Sequence, residues 1–389
     1  MELPSEDHEG ISKGMVGRLK KALYGTRDAP LAWQEALTQS LEEWGFIGSK
    51  LHPAIFHHPG RDMDLVIHVD DMLCSGKVDD LMWFAETCGS RYEVTQQLVD
   101  KVGKELRYLG RTVRKVTDGY EWEGDSKHLE ILMAEWGMKN CNAVNTPIAD
   151  TKHNHEEREE MDAEAGRQYR RAVARINYLS ADRPDLAVAA SHLARSMAKP
   201  LVGDEAGVKR VIRYLAGHPN CVWKYGVQEE THVLDVYTDS DWAGCRSSRR
   251  STSGGVILHG HHPIVHWSKL QANVALSSGE AELNSQVKGI MEGLGVRNAA
   301  RDLGLELQIR THADSSASRG ILTRIGVGKM KHLEVKHLWV QEYVRRGEVG
   351  VYRVARVHNP GDVFTHPCSR AELLRHMSKI GVRFRPGGV

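Results

Sequence analysis

The sequence predicts a multidomain α+β and α/β protein whose last third forms a mixed five-stranded sheet with flanking helices. From 233 to 380 the patterned segments run three strands, helix, strand, two helices, strand and helix, which is an α/β order. The 389 residues are enough for two or three hydrophobic cores. Residues 148–168 are charged and lack a hydrophobic period, which is typical of a linker.

The segment before this linker alternates between helical and strand patterns. Apolar residues at three- and four-residue spacing predict helices at 32–44, 80–91 and 127–136. Runs of apolar and β-branched residues predict strands at 65–69, 72–74, 92–95, 106–116 and 120–122. Asp70-Asp71 would form the turn of the first hairpin, and Asp118-Gly119 the turn of the last.

The segment after the linker begins helical and then changes to strands. Helices are predicted at 169–180, 185–197, 204–216, 280–303, 315–324, 332–346 and 371–380. Strands are predicted at 233–237, 255–258, 264–267, 307–311 and 349–354.

Composition narrows the class of protein without naming a partner. A hydrophobic share of 41%, a charged share of 26% and a net charge of +1 describe an ordinary globular protein. Any basic surface for nucleic acid must therefore be local. The six cysteines show no paired spacing, which predicts reduced thiols in an intracellular protein. No signal peptide and no apolar run of membrane-spanning length is present, so no membrane partner is expected.

Four acidic residues are the candidate site: Asp239, Glu282, Asp314 and Asp362. Each is predicted where a strand ends or a helix begins. Four carboxylates that converge would repel one another unless divalent cations lay between them, which is the arrangement of two-metal phosphodiesterases. A helix cap explains Asp314 or Asp362 taken singly. A helix cap does not explain four such residues that each lie in a short motif typical of one enzyme class.

The residues alone do not decide which acids would be the metal ligands, because other acidic residues lie close to two of the candidates in the sequence. Asp239 competes with Asp235 and Asp241, and Glu282 competes with Glu280. A helical wheel slightly favours Glu280, which shares a face with the apolar residues that follow it.

The words around these acids resemble the RNase H domain of copia-type LTR-retrotransposon Pol polyproteins. The resemblance covers 231–370 and rests on the words at 237–244, 249–255, 267–268, 275–283, 312–317, 331–335 and 359–365. It implies an RNase H-like fold over 231–389 and hydrolysis of the RNA strand of an RNA:DNA hybrid.

The same resemblance implies a ligand set and a cofactor. The family's catalytic Asp is the first of Asp-x-Asp-Trp and its Glu is the second of Glu-Ala-Glu, which here are Asp239 and Glu282. With Asp314 and Asp362 they would hold two Mg²⁺ ions, Asp239 contacting both. The expected partner is a nucleic-acid hybrid, contacted through its backbone and 2′-hydroxyls. Residues expected to supply such contacts are Ser240, Arg249, Ser278, Ser316, Lys20, Lys21 and Arg27.

The N-terminal part resembles the reverse transcriptase of the same family, through residues 18–25, 29–33 and 68–71. The resemblance makes Asp70 and Asp71 two of the polymerase's metal ligands. The family's other ligand lies in a strand upstream of the residues present here. Asp28 stands where Gln is usual, and His68 stands where Tyr is usual.

These departures predict a truncated reverse transcriptase at 1–147, a linker and helical connection at 148–230, and an RNase H-like domain at 231–389. Polymerase activity from this chain alone is not expected, unless a longer Pol precursor or a separate N-terminal fragment complements it. The alternative is a non-catalytic nucleic-acid-binding remnant. His366, where the family usually has Lys, points towards such drift.

Overall fold

The computed structural model describes residues 20, 22–23, 25–149, 159–326, 328 and 337–385. Lys21, residues 150–158 of the predicted linker and the predicted helix start at 332–336 lie outside these residues. The chain divides into two compact units, the first formed by 1–94 with 302–304 and the second by 95–301 with 305–389. No helix among the described residues is long and apolar enough to cross a membrane.

The first unit packs two helices with one antiparallel sheet of strand order β1-β2-β3-β4. Its elements are α1 (Ala29–Glu43), β1 (Ile47–Gly48), β2 (Ile55–His58), β3 (Met63–His68), β4 (Asp71–Ser75) and α2 (Val78–Arg91). The two predicted helices and the first hairpin are confirmed. The predicted strand at 92–95 is wrong, because no strand forms there. Instead the Tyr92 hydroxyl lies 2.6 Å from the Ser40 hydroxyl on α1.

The second unit contains two five-stranded sheets and the remaining helices. Its first half consists of β5 (Glu105–Tyr108), β6 (Arg111–Val116), β7 (Gly119–Glu123), α3 (Lys127–Glu135), α4 (Ala163–Ser180), α5 (Ala187–Ala194), α6 (Glu205–Gly217) and β8 (Asn220–Gly226). Its second half consists of β9 (Val233–Asp241), β10 (Thr252–His259), β11 (His262–Leu270), α7 (Ser278–Asp302), β12 (Gln308–Ala313), α8 (Ser316–Thr323), α9 (Trp339–Arg345), β13 (Val349–Arg353), α10 (Arg370–Lys379) and β14 (Val382–Arg385).

The predicted mixed five-stranded sheet is confirmed, with strand order β11-β10-β9-β12-β13. β9 pairs antiparallel with β10 and parallel with β12, and β12 pairs parallel with β13. In this register His312 lies opposite Tyr237. Because parallel strands end at the same edge of a sheet, Asp314 emerges beside Asp239.

Helix α7 covers one face of this sheet. A Cβ at Gly289 would lie 2.5 Å from the Thr238 Cγ2 and 2.9 Å from the Val236 Cγ1, so only glycine permits this close approach. Leu283 and Ile290 of α7 are fully buried in the same core. The close contact brings the first turns of α7, and Glu282 with them, towards the end of β9.

The other sheet has the order β14-β8-β7-β6-β5. It joins strands from all three predicted domain ranges, 1–147, 148–230 and 231–389. β8 at 220–226 falls in the range expected to be linker and helical connection, and β14 at 382–385 follows the last predicted element. The linker prediction also extends too far, since α4 begins at Ala163. The Asp162 carboxylate caps that helix, accepting hydrogen bonds from the backbone N–H groups of Glu164 and Ala165 at 2.9 and 2.8 Å.

Candidate active site

The four predicted acids come from four different elements of the second unit. Asp239 lies in β9 and Glu282 in the second turn of α7. Asp314 directly follows β12, and Asp362 lies in the short 3-10 helix Pro360–Phe364.

The structure brings these acids into two overlapping groups that share Asp239. In the first, carboxylate oxygens of Asp239, Glu282 and Asp314 all lie within 4.8 Å of one another. In the second, oxygens of Asp239 and Asp362 and a ring nitrogen of His366 lie within the same distance. Across the described ranges, these are the two groups of three or more His, Cys, Asp or Glu side chains close enough to hold a metal ion.

Asp239 is the most enclosed of the four acids, with 7% of its surface exposed. Its Oδ2 accepts a hydrogen bond of 2.7 Å from the hydroxyl of Thr365, and its backbone carbonyl accepts one of 2.6 Å from Ser285. Burial raises the pKa of Asp239 to about 7, and the nearby carboxylates of Asp362 and Asp314 add to the shift. The Thr365 bond works in the opposite direction. Without a cation nearby, ionisation of this carboxylate is therefore energetically unfavourable.

Glu282 supplies a buried oxygen that no protein group satisfies. Its Oε1 accepts hydrogen bonds from the Ser240 hydroxyl at 2.9 Å and from the Ser240 backbone N–H at 3.2 Å. Its Oε2 is buried and has no hydrogen-bond partner. Burial, followed by repulsion from Asp239, raises the pKa of Glu282 to about 8. An orphaned oxygen among carboxylates fits a hard divalent cation, which takes oxygen ligands.

The segment 359–365 is fixed against β9 and β10. The Asn359 side chain donates a 2.8 Å hydrogen bond to the Thr238 carbonyl and accepts one of 3.0 Å from the Gly361 N–H. Gly254 of β10 lies opposite Asp239. A Cβ at Gly254 would lie 2.7 Å from Phe364 and Thr365 atoms. The missing side chain therefore lets this segment approach closely enough to deliver Asp362 and Thr365.

The competing acids are engaged elsewhere. Asp235 lies 2.7 Å from the Nε2 of His312. Asp241 accepts hydrogen bonds from the backbone N–H and hydroxyl of Thr252. Glu280 accepts a 2.7 Å hydrogen bond from the Leu276 N–H ahead of α7. None of the three belongs to either group of acids.

The other predicted site residues have different environments. Ser240 holds Glu282, as described above. Arg249, Ser278 and Ser316 are exposed, at the β9–β10 connection and at the first residues of α7 and α8. Lys20 and Arg27 are exposed in the first unit. The roles of these residues in binding nucleic acid stay predictions.

Asp70 and Asp71 lie exposed at the β3–β4 turn and belong to neither metal-compatible group. Val69 beside them has a φ of 59°, a left-handed conformation that a β-branched residue rarely adopts. Their role as polymerase ligands also stays a prediction.

Three residues that shape the site are missing from the predicted set: Thr365, Asn359 and His366. All three lie within four residues of Asp362 in the sequence. A signal for two of them was present, because Asn359 and Thr365 belong to the Asn-Pro-Gly-Asp-Val-Phe-Thr word that carries Asp362.

Comparison with known proteins identifies the family. Residues 4–150 match the family model for reverse transcriptase, an RNA-dependent DNA polymerase. The Pol polyprotein of transposon RE2 from Arabidopsis thaliana is 30% identical over 380 residues, which cover 94% of this chain. The chain belongs to the copia-type retrotransposon Pol family. It spans 25% of the length of that Pol relative.

Solved structures give more distant likenesses to this Pol chain. A foamy viral protease-reverse transcriptase in complex with RNA/DNA hybrid is 11% identical, with a TM-score of 0.43, over 89% of this chain and 40% of the viral one. An RNase H1 isolated from compost is 13% identical, with a TM-score of 0.27, over 35% of this chain and 94% of the RNase H1.

Proposed function

We propose that the second unit hydrolyses the RNA strand of RNA:DNA hybrids with the help of two divalent cations, Mg²⁺ being the expected ion. The observation that carries the proposal is the pair of overlapping groups around Asp239, one of which contains Glu282, whose buried Oε2 has no hydrogen-bond partner. Membership of a Pol family supports a nucleic-acid backbone as the substrate.

The ligands divide naturally between two cation positions. Asp239, Glu282 and Asp314 would hold one ion, and Asp239 and Asp362 would contribute to the other. When bound, the ions supply an activated water and stabilisation of the leaving oxygen. Because the pKa values of Asp239 and Glu282 are raised, both side chains would lose a proton as the ions bind.

The protein's own contribution is to hold these carboxylates in place. Ser240 fixes one oxygen of Glu282, and the other oxygen, Oε2, has no hydrogen-bond partner. Thr365 fixes Oδ2 of Asp239, and Asn359 ties the segment that carries Asp362 to β9. Such preorganisation limits the rearrangement needed when charge develops on the scissile phosphate.

Recognition of the hybrid is assigned to exposed residues of the second unit. Arg249 offers a cation to a phosphate, and Ser278 and Ser316 offer hydroxyls at helix starts. Hydroxyl partners suit a strand that displays 2′-hydroxyl groups, which distinguish RNA from DNA.

The test is cleavage of a labelled RNA:DNA hybrid by the full chain in Mg²⁺ or Mn²⁺, with single-stranded RNA and duplex DNA of the same sequence as comparison substrates. We expect cleavage of the hybrid's RNA strand that stops in chelator and in Asp314→Asn. Asp235→Asn is the matched control, since this acid lies on β9 but outside both groups, and it should cleave normally.

Folded protein that leaves the hybrid intact in both ions would contradict the proposal. It would favour the alternative, a non-catalytic remnant that only binds nucleic acid. Fluorescence anisotropy with the same labelled hybrid would then measure that binding.

A second candidate, RNA-directed DNA synthesis, is favoured by the reverse transcriptase match over 4–150. The end of that match at 150 lies close to the proposed end of the reverse transcriptase range at 147, and the connection at 148–230 and the RNase H-like range at 231–389 remain part of the proposal. Among the described residues no third acid joins Asp70 and Asp71 in a metal-compatible group. We propose that synthesis by this chain needs a further ligand, supplied by a longer Pol precursor or a separate fragment. Primer extension by this chain alone would contradict that requirement.

A further inference from the structure

The second cation position differs from the first because one of its three potential ligands is nitrogen. The Nε2 of His366 lies 3.7 Å from Oδ2 of Asp362. A ring nitrogen of His366 also lies within 4.8 Å of an Asp239 oxygen. The first position is lined by three carboxylates and contains no nitrogen ligand.

Hydrogen bonding at Thr365 indicates which nitrogen of His366 is free. The Thr365 hydroxyl lies 2.7 Å from Asp239 Oδ2, 2.9 Å from the Asp362 carbonyl and 2.9 Å from Nδ1 of His366. Its single proton goes most favourably to the carboxylate, because charge-assisted hydrogen bonds are the stronger ones. The hydroxyl oxygen then accepts from Nδ1–H, which places the lone pair of the neutral ring on Nε2.

The Nε2 of His366 lies beyond hydrogen-bonding distance of the Asp362 carboxylate. Two atoms that bind one cation at about 2.1 Å each lie roughly 3 to 4 Å apart, which includes the separation of 3.7 Å. Thr365 supplies the partner that ligating histidines need on their second nitrogen. Arg356 binds the other oxygen of Asp362 at 3.1 Å, which leaves Oδ2 to face His366.

We propose that His366 is a metal ligand at the second position, which it completes with Asp239 and Asp362, and that this position takes a transition-metal dication such as Mn²⁺ in preference to Mg²⁺. The preference follows because imidazole suits transition metals, whereas Mg²⁺ prefers oxygen ligands. The inference rests on the proposed two-cation site. It gives His366 a role in place of simple drift from the family's usual Lys.

The test reads metal binding directly, without relying on catalysis. The full chain is titrated with Mn²⁺ and separately with Mg²⁺ by calorimetry, and electron spin-echo spectroscopy detects nitrogen bound to Mn²⁺. The variants are His366→Ala and His366→Lys. His261→Ala is the matched control, because this histidine is exposed at the β10–β11 hairpin and lies outside both groups.

We expect nitrogen coupling in the unmodified chain and in His261→Ala, and its loss in both His366 variants. Affinity for Mn²⁺ at one of two positions should fall by about tenfold or more in His366→Ala. Affinity for Mg²⁺ should change much less. A role for His366 in packing alone would not remove the nitrogen coupling selectively.

Nitrogen coupling that persists in His366→Ala, or that is missing from the unmodified chain, would overturn the inference. Equal losses of Mn²⁺ and Mg²⁺ affinity would overturn the stated preference. Failure of the proposed function looks different, since Mn²⁺ would bind with nitrogen coupling while the hybrid stayed intact.

Discussion

The acids at the β3–β4 turn and the acids around Asp239 share sequence words of one family but have opposite surroundings. Asp70 and Asp71 lie exposed at a hairpin turn, in neither metal-compatible group. Asp239 and Glu282 are buried, fixed by hydroxyl groups, and surrounded by further carboxylates. A motif becomes a site when other elements enclose it. The cost of that enclosure appears as the raised pKa values of Asp239 and Glu282.

The largest expected effect is on hybrid cleavage, which should depend on the acids around Asp239 and not on Asp70 and Asp71. Asp239→Asn should lower hybrid cleavage by about 10³-fold or more, because both proposed cations lose a shared ligand. Asp70→Asn, which changes the first unit, should leave cleavage unchanged. Single-turnover rates on one labelled hybrid would measure both. Equal losses in the two variants would break the distinction between the acids.

The next effect concerns pH and the stability of the metal-free protein. With their pKa values raised to about 7 and about 8, Asp239 and Glu282 bind more protons in the folded state than in the unfolded state. Stability should therefore fall as pH rises from about 4 to 8, by on the order of a few kcal/mol. Urea denaturation in chelator at several pH values measures this.

Two comparisons sharpen the pH prediction. Asp239→Asn should reduce the fall in stability between about pH 4 and pH 8. Without metal, this variant should be more stable than the unmodified chain at about pH 8. Added divalent cation should stabilise the unmodified chain more at pH 8 than at pH 6, since binding requires ionised carboxylates. A metal-free stability that rises across this window would contradict the burial argument.

A smaller effect tests the packing that delivers Asp362 to the cluster. Gly254→Ala places a methyl group 2.7 Å from atoms of Phe364 and Thr365 and should cost about 1–3 kcal/mol. Gly295→Ala is the matched control, because this glycine of α7 has no atom within 4 Å of its added Cβ. It should stabilise the protein by about 0.5–1 kcal/mol through helix propensity. Chemical denaturation of both variants would measure the two changes in the free energy of unfolding, which should have opposite signs.

The smallest effect is expected at the hairpin turn. The double change Asp70→Asn with Asp71→Asn should alter stability by less than about 0.5 kcal/mol, because both acids are exposed. A larger change, measured by the same denaturation method, would reveal a constraint on this turn that exposure does not indicate.

Much of the second unit could be predicted because its signals are local. The order of β9 to β13 and the frames of the four acids lie in short runs of sequence, and the structure brings those acids together. The choice between Asp239 and its neighbours came from resemblance to the family. The structure gives a physical reason for it, since Asp235 and Asp241 have other partners.

The remainder depends on contacts between distant parts of the chain. Thr365 lies 126 positions from Asp239, and no local pattern reports that hydrogen bond. Strand β8 has apolar and aromatic residues between Pro219 and Gly226, a signal that was available. Its partner β14 is four residues long and carries charged residues, so its strand character comes from pairing with β8.

The pairing of β14 with β8 has a consequence for the order of synthesis. A ribosome extends the chain from its N-terminus, so β8 leaves the exit tunnel long before residues 382–385 exist. Until then one side of β8 presents unpaired backbone groups, a state that invites aggregation. The segment bearing Asp362 and Thr365 is also made late. A nascent chain would therefore carry an open sheet edge and an unfinished acidic cluster together, until synthesis had passed residue 385.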